Sequence, residues 1–188
     1  MNILYVHGFG SRFDPDSDKV NQLSKLGHVY GITVDHTFPA QALADVARML
    51  VENDIDLMVG TSMGGWLVNH AALLYEVPFV AINPCVEPAE MLKKYDGAGV
   101  DHYGKEYYLD PAVREGIPPF REDGIGIILL DLGDEVIDSL GTLIRYGAHY
   151  EIHCFEGGNH RFAHMAEALP HIEKFQNRVS IAWGFGAN

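Results

Sequence analysis

The stretch Asp56-Leu57-Met58-Val59-Gly60-Thr61-Ser62-Met63-Gly64-Gly65-Trp66-Leu67 decides how this chain folds. An apolar run enters a Gly-x-Ser-x-Gly pentapeptide, and a helical pattern leaves it. This arrangement is a nucleophile elbow, a sharp strand-to-helix turn that lifts a serine Oγ above the carboxyl edge of a sheet. Gly60 and Gly64 have a steric task there, because the serine backbone takes unfavourable dihedrals only where flanking side chains do not collide. With six serines and 20 glycines in 188 residues, chance would give about 0.07 such pentapeptides. Its setting between strand and helix adds the specificity that the pentapeptide lacks.

Working outward, strands and helices alternate. Residues 2–7 and 28–34 predict strands, with a short helix over 19–26 between them that ends at Gly27. Pro39 opens a helix whose apolar positions Leu43, Val46, Ala47, Leu50 and Val51 fall at helical spacing. Residues 56–60 form the strand before the elbow and 63–75 the helix after it. Further strands are expected at 78–82 (stopped by Asn83-Pro84), 126–130 and 150–155, and a last helix over 161–177. Such alternation gives an α/β fold, with a mostly parallel sheet covered by helices on both faces. Ligands bind such sheets beyond the carboxyl ends of the strands. One domain is expected over residues 1–188. The segment 86–121, rich in Pro, Gly and Tyr, breaks the rhythm. It reads either as a lid insertion over an active site or as a surface excursion whose aromatics pack down on the sheet.

Composition excludes several classes. The formal net charge of −13 would repel nucleic acid and anionic membrane, and its plain reading is solubility. Cys85 and Cys154 are too few for a disulfide framework or zinc ribbon, and both sit in apolar runs that predict buried free thiols. The N-terminus lacks a basic region before its apolar run, and no stretch reaches the ~20 apolar residues of a transmembrane helix, so a cytoplasmic location is expected. Trp66 and the tail Trp183-Gly184-Phe185 read equally as a partner surface or as packing on the body.

A serine at an elbow needs a base and an acid to orient that base. Ten histidines are available. His160 follows the last strand in Glu156-Gly157-Gly158-Asn159-His160-Arg161-Phe162, where a Gly-rich loop lets its ring reach Ser62. His149 and His153 precede or lie within that strand. His164, four residues on, is expected on a helix face, because no zinc-protease carboxylate lies between the two histidines. No metal is expected. Asp134, directly after Gly133 beyond the strand end, is the expected orienting acid, with Asp138 its alternative. Asp131 can still belong to the strand, and Glu135 fits the acidic N-terminus of a helix. The oxyanion donors are the amides of Met63, after the nucleophile, and Phe9, in the loop following the first strand. His7 is expected to hold that loop through a ring hydrogen bond. Ser11 and Arg12 are near enough in sequence to touch a substrate.

The motifs Leu4-Tyr5-Val6-His7-Gly8-Phe9, Gly60-Thr61-Ser62-Met63-Gly64-Gly65, Ile82-Asn83-Pro84, Gly133-Asp134-Glu135-Val136-Ile137-Asp138 and Glu156-Gly157-Gly158-Asn159-His160-Arg161-Phe162 run in order along nearly the whole chain. Together they resemble the small YqiA-like esterases of the α/β-hydrolase superfamily. The resemblance implies a cofactor-free serine hydrolase of carboxylic esters or acyl thioesters, a small-molecule substrate, and Ser62, His160 and Asp134 as nucleophile, base and acid. Residues 96–123 match no motif of the resemblance. The same fold also hosts lyases and cofactor-free peroxidases, and a silent acyl-ligand-binding protein is a further alternative.

Overall fold

Along the first strand alternate side chains enter two different cores: Ile3 and Tyr5 pack on one face of the sheet, Leu4 and Val6 on the other. Burial of both faces is what a parallel sheet under two helical layers requires. The computed structural model describes residues 1–182, so the tail Trp183-Gly184-Phe185 lies outside the described residues. In chain order the elements are β1 (Asn2–Val6), α1 (Asp18–Leu23), β2 (His28–Ile32), α2 (Pro39–Asn53), β3 (Leu57–Thr61), α3 (Met63–Tyr75), β4 (Phe79–Ile82), α4 (Pro88–Met91), β5 (Gly97–Val100), β6 (Glu106–Leu109), α5 (Pro111–Glu115), β7 (Gly126–Asp131), α6 (Ser139–Tyr146), β8 (Glu151–Phe155) and α7 (Met165–Ala182).

Six strands form one sheet in the order β2-β1-β3-β4-β7-β8, every neighbouring pair parallel. Helices α1 and α7 cover one face, burying Val20, Leu23, Ala168 and Ile172. Helices α2, α3 and α6 cover the other, burying Val46, Leu67 and Tyr146. The strand order reverses between β1 and β3, so the loops that leave these two strands diverge and open a crevice at the carboxyl edge. The serine elbow leaves β3, and the loop carrying Phe9 leaves β1. Topology alone therefore brings the two together.

Three expectations need correction. The last helix starts at Met165, not at 161, because the Asn159 and Ala163 amides donate to the Asp131 carboxylate (3.1 and 2.7 Å) and Phe162 takes a φ of +64°. Cys154 is exposed, because β8 is the last strand of the sheet and has no neighbour beyond it. Cys85 is buried as expected, and burial, with Glu87 nearby, pushes its thiol up to about 12, which makes it inert. The third correction concerns segment 86–121, which contains an antiparallel hairpin, β5–β6, that alternation did not reveal. Its glycines at 97 and 99 hide the strand signal. Phe120 is buried in the core, whereas Tyr103 and Tyr108 are exposed. Among the described residues no helix is long and apolar enough to cross a membrane.

Candidate active site

Ser62 sits between β3 and α3 with φ 56° and ψ −120°, a backbone region that non-glycine residues adopt only under constraint. Its N–H donates to the Ile82 carbonyl (2.9 Å), and its own carbonyl accepts from Trp66 and Cys85 (3.2 and 3.1 Å). A methyl group at Gly60 would run into the Gly64 carbonyl, and one at Gly64 into the Val6 carbonyl. The two glycines therefore let the helix start hard against the strand ends. That close approach is what holds the elbow in its strained turn.

The structure brings Ser62, His160 and Asp134 together. His160 Nδ1 lies 2.8 Å from Asp134 Oδ2, and its Nε2 lies 3.2 Å from Ser62 Oγ. A carboxylate only accepts, so Nδ1 carries the ring proton and Nε2 is left to receive the serine proton. The Asp134 side chain is fully buried. Burial alone would raise its pKa, but hydrogen bonds from His160 and from the Ile137 and Val136 amides outweigh it and hold the carboxyl below its ordinary value. Asp138 is not at the site; it caps α6, accepting from the Gly141 amide at 2.9 Å. Glu135 does not lie in a helix. Its Oε2 accepts from the His160 amide at 3.0 Å and so ties down the same loop.

Sequence reasoning missed the anchor of that loop. Asp131 ends β7 with its side chain completely buried. Its carboxylate accepts from the amides of Asn159 and Ala163 and pairs with His164 Nδ1 at 2.7 Å. His164 is thus the partner of Asp131 just before α7, not a helix-face residue. Asn83, also fully buried, accepts from the Asp131 amide (2.9 Å) and donates to the Asn159 carbonyl (3.0 Å). Gly157 and Gly158 both take positive φ to make the turn. The available signal was weak: a carboxylate at the end of a buried strand, facing a Gly-Gly loop.

The opposite wall is the loop after β1. A Cβ on Gly8 would lie 3.1 Å from Ser62 Cβ, so this loop lies directly against Ser62. The Met63 amide opens α3 and has no acceptor within the helix. Phe9 packs against Tyr95 and Tyr107, with ring centroids 5.0 and 5.3 Å apart, so aromatic residues of the 86–121 segment brace the loop after β1. His7 holds the loop as expected: Nε2 accepts from the Val34 amide (3.1 Å) and Nδ1 donates to the Gly8 carbonyl (2.7 Å). Buried His36 donates to the His7 carbonyl at 2.9 Å.

Burial, with His7 beside it, lowers the His36 pKa from 6.5 to about 3. The unfolded chain therefore binds a proton below pH 6.5 that the folded chain refuses until about pH 3. Stability that is fully present above pH 6.5 is lost as the pH falls, at about 1.4 kcal/mol per unit from this one group. His7, also lowered chiefly by burial, acts in the same direction. Urea midpoints taken between pH 7 and 5 should fall with this slope, and His36→Gln should flatten it. An unchanged slope in the variant would show that His36 is not the source.

Beside this loop lies a cleft of about 370 Å³, whose walls include Phe9, Arg12, Thr33, Asp35, Tyr103 and Tyr107. Ser62 is not in its lining. Phe9 in its wall follows Gly8, which lies against Ser62.

Comparison with known proteins agrees with this architecture. The sequence profile of the "Uncharacterised protein family (UPF0227)" matches residues 2–177. A UPF0227 protein of Pectobacterium carotovorum is 28% identical over 183 residues, covering 93% of this chain and 98% of its own. The UPF0227 protein YcfP of Salmonella arizonae is 27% identical with the same coverage. Among solved structures, Est1E of Butyrivibrio proteoclasticus with bound ferulic acid superposes with a TM-score of 0.72 at 15% identity, covering 94% of this chain and 88% of that one. The monoacylglycerol lipase of Paleococcus ferrophilus superposes with a TM-score of 0.63 at 17% identity, covering 93% of each. The fold is that of the α/β-hydrolases.

Proposed function

The chain belongs to the UPF0227 family, and from that premise we propose that it is a serine hydrolase of carboxylic esters or acyl thioesters, working through Ser62, His160 and Asp134. The hydrogen-bonded line from Asp134 through His160 to Ser62 carries this reading. Solved neighbours described as an esterase domain, from a Rhodothermus marinus protein, and a monoacylglycerol lipase support it at the level of fold. The chemistry is two-step acyl transfer. Ser62 Oγ attacks the carbonyl carbon while His160 Nε2 takes its proton, and Asp134 stabilises the imidazolium. The Phe9 and Met63 amides receive the developing oxyanion. His160 returns the proton to the leaving alcohol or thiol, and the acyl group stays on Ser62. Water then attacks the acyl-enzyme, with His160 again taking a proton, and the acid leaves. No step calls for a cofactor or a metal.

The test is turnover of p-nitrophenyl acetate, butanoate and octanoate beside the matching S-acyl thioesters, with fluorophosphonate labelling followed by peptide mass spectrometry. Saturable turnover and a single adduct on Ser62 are expected. Absence of turnover across both series, or an adduct elsewhere, would defeat the hydrolase reading in favour of a non-hydrolytic or ligand-binding protein.

A further inference from the structure

We propose that the cleft beside the oxyanion loop is a subsite for an anionic group of the substrate, a carboxylate or a phosphate, with Arg12 as its counter-ion. The proposal rests on the esterase reading for its link to catalysis. Three loops form the cleft: residues 9–12 after β1, 33–37 after β2, and the 101–107 turn of the β5–β6 hairpin. The first two leave the carboxyl edge of the sheet on the side where Gly8 touches Ser62.

The chain holds 26 acidic and 13 basic residues, so a guanidinium is readily neutralised within the fold. Five of its seven arginines have a carboxylate partner: Arg48, Arg114, Arg121, Arg145 and Arg178. Arg12 is held differently. Its guanidinium carbon lies 4.0 Å from the centroid of the Tyr103 ring, and among the described residues no carboxylate pairs with it. The Tyr103 backbone is held in the hairpin turn, because its amide and that of Lys105 both donate to Asp101 Oδ1 at 2.8 Å. The two acids of the cleft are already engaged. Asp101 closes this hairpin turn, while Asp35 accepts from the Thr37 amide and hydroxyl and faces Lys105 at 3.6 Å. His36, the wall's one histidine, stays neutral because it is buried.

The cleft therefore offers one uncommitted, permanently charged fork of N–H donors above aromatic walls. That combination suits a planar or tetrahedral oxyanion on an apolar framework. Arg12 is three residues from Phe9, so their Cα atoms are at most about 11 Å apart. A small acyl compound that carries its charge on a short spacer from the carbonyl can therefore span from the Phe9 amide to the Arg12 side chain. The net charge of −13 repels anions at long range, so the attraction has to be supplied locally by the Arg12 guanidinium.

Binding of unreactive amides tests the subsite independently of turnover. The probes are 4-butanamidobenzoate, its phosphonate counterpart, adipic acid monoanilide (charge on the acyl side) and neutral 4-butanamidobenzamide, titrated by calorimetry into wild type and Arg12→Gln. Arg12 is exposed, so its replacement leaves the fold in place. At least one anionic probe is expected to bind the wild type about 10- to 100-fold more tightly than the neutral one. In Arg12→Gln that ratio should fall close to one, and added salt should weaken the wild-type preference. Comparison of the anions identifies which oxyanion, and which side of the ester, the cleft takes. Equal affinity for charged and neutral probes, retention of the preference in Arg12→Gln, or no binding of any anionic probe would overturn the proposal. An Arg12-dependent preference in a protein that hydrolyses no ester would leave the subsite standing and remove the esterase reading.

Discussion

Ser62→Ala is expected to lower kcat for p-nitrophenyl butanoate by on the order of 10⁴-fold or more, leaving a residue of activity from the oxyanion donors alone. The alanine keeps the Cβ, so the elbow retains its strained φ of 56° and the protein should melt close to the wild type. Ser62→Gly separates strain from chemistry. It should be equally inactive, yet relief of about 1–3 kcal/mol of backbone strain exceeds the ~0.4–1 kcal/mol that glycine adds to the freedom of the unfolded chain. The glycine variant should therefore melt about 2–4 °C above the alanine variant. His160→Ala should match Ser62→Ala in kcat, because the two act as one unit and their losses do not add. Retention of wild-type kcat in Ser62→Ala would dismiss the nucleophile. Equal melting of Ala and Gly variants would dismiss the strain.

What the sequence made legible was governed by local rules. Gly60, Ser62 and Gly64 announce the elbow because only a residue without a Cβ fits against the carbonyls there. The parallel sheet follows from apolar runs separated by helical patterns, and His160 from its place in a Gly-rich loop after the last strand. What stayed hidden depends on long-range partners. Asp134, directly after Gly133, is the preferred acid on paper, but Asp138 one turn on stays open as its alternative. They part only when α6 starts at Ser139, leaving Asp138 as its cap and Asp134 within reach of His160. Cys154 looks as apolar in sequence as Cys85, but strand order puts β8 at the edge and β4 in the interior. The β5–β6 hairpin escaped because Gly97 and Gly99 carry no side chain to alternate, and pairing with Leu109 and Tyr107 supplies the strand. Arg12 is an exposed basic residue by composition, and only the Tyr103 ring and the committed acids around it give it a role.

Asp131 is where the fold and the site meet, and its removal should be the most damaging change outside the line from Asp134 to Ser62. Its fully buried carboxylate receives two amides and one imidazole nitrogen, all from residues 159–164 that flank the base. Asp131→Ala would leave three half-buried donors without their acceptor. At about 1–3 kcal/mol for each lost partner, discounted because the group is coupled and water enters, the expected loss is roughly 3–5 kcal/mol. For a chain of this length that corresponds to a fall of about 10–15 °C in melting temperature. Asp131→Asn should be milder. Its oxygen can still take the two amides, and its amide nitrogen can face His164 Nδ1 if the ring moves its proton to Nε2. The catalytic effect should follow the same order. A loop free to shift by about 1 Å would move His160 Nε2 out of its 3.2 Å contact with Ser62, and misplacement of that size costs about 10²-fold in kcat. KM for a small neutral ester should change far less, since Asp131 lines neither the cleft nor the oxyanion loop. Melting curves with separate kcat and KM values for wild type, Asn and Ala decide the matter. A folded Asp131→Ala protein with wild-type kcat would mean that Glu135 and Asn83 hold the base without it. A loss of kcat that tracks the loss of stability through Asn to Ala would identify the carboxylate at the end of β7 as the clamp that positions His160.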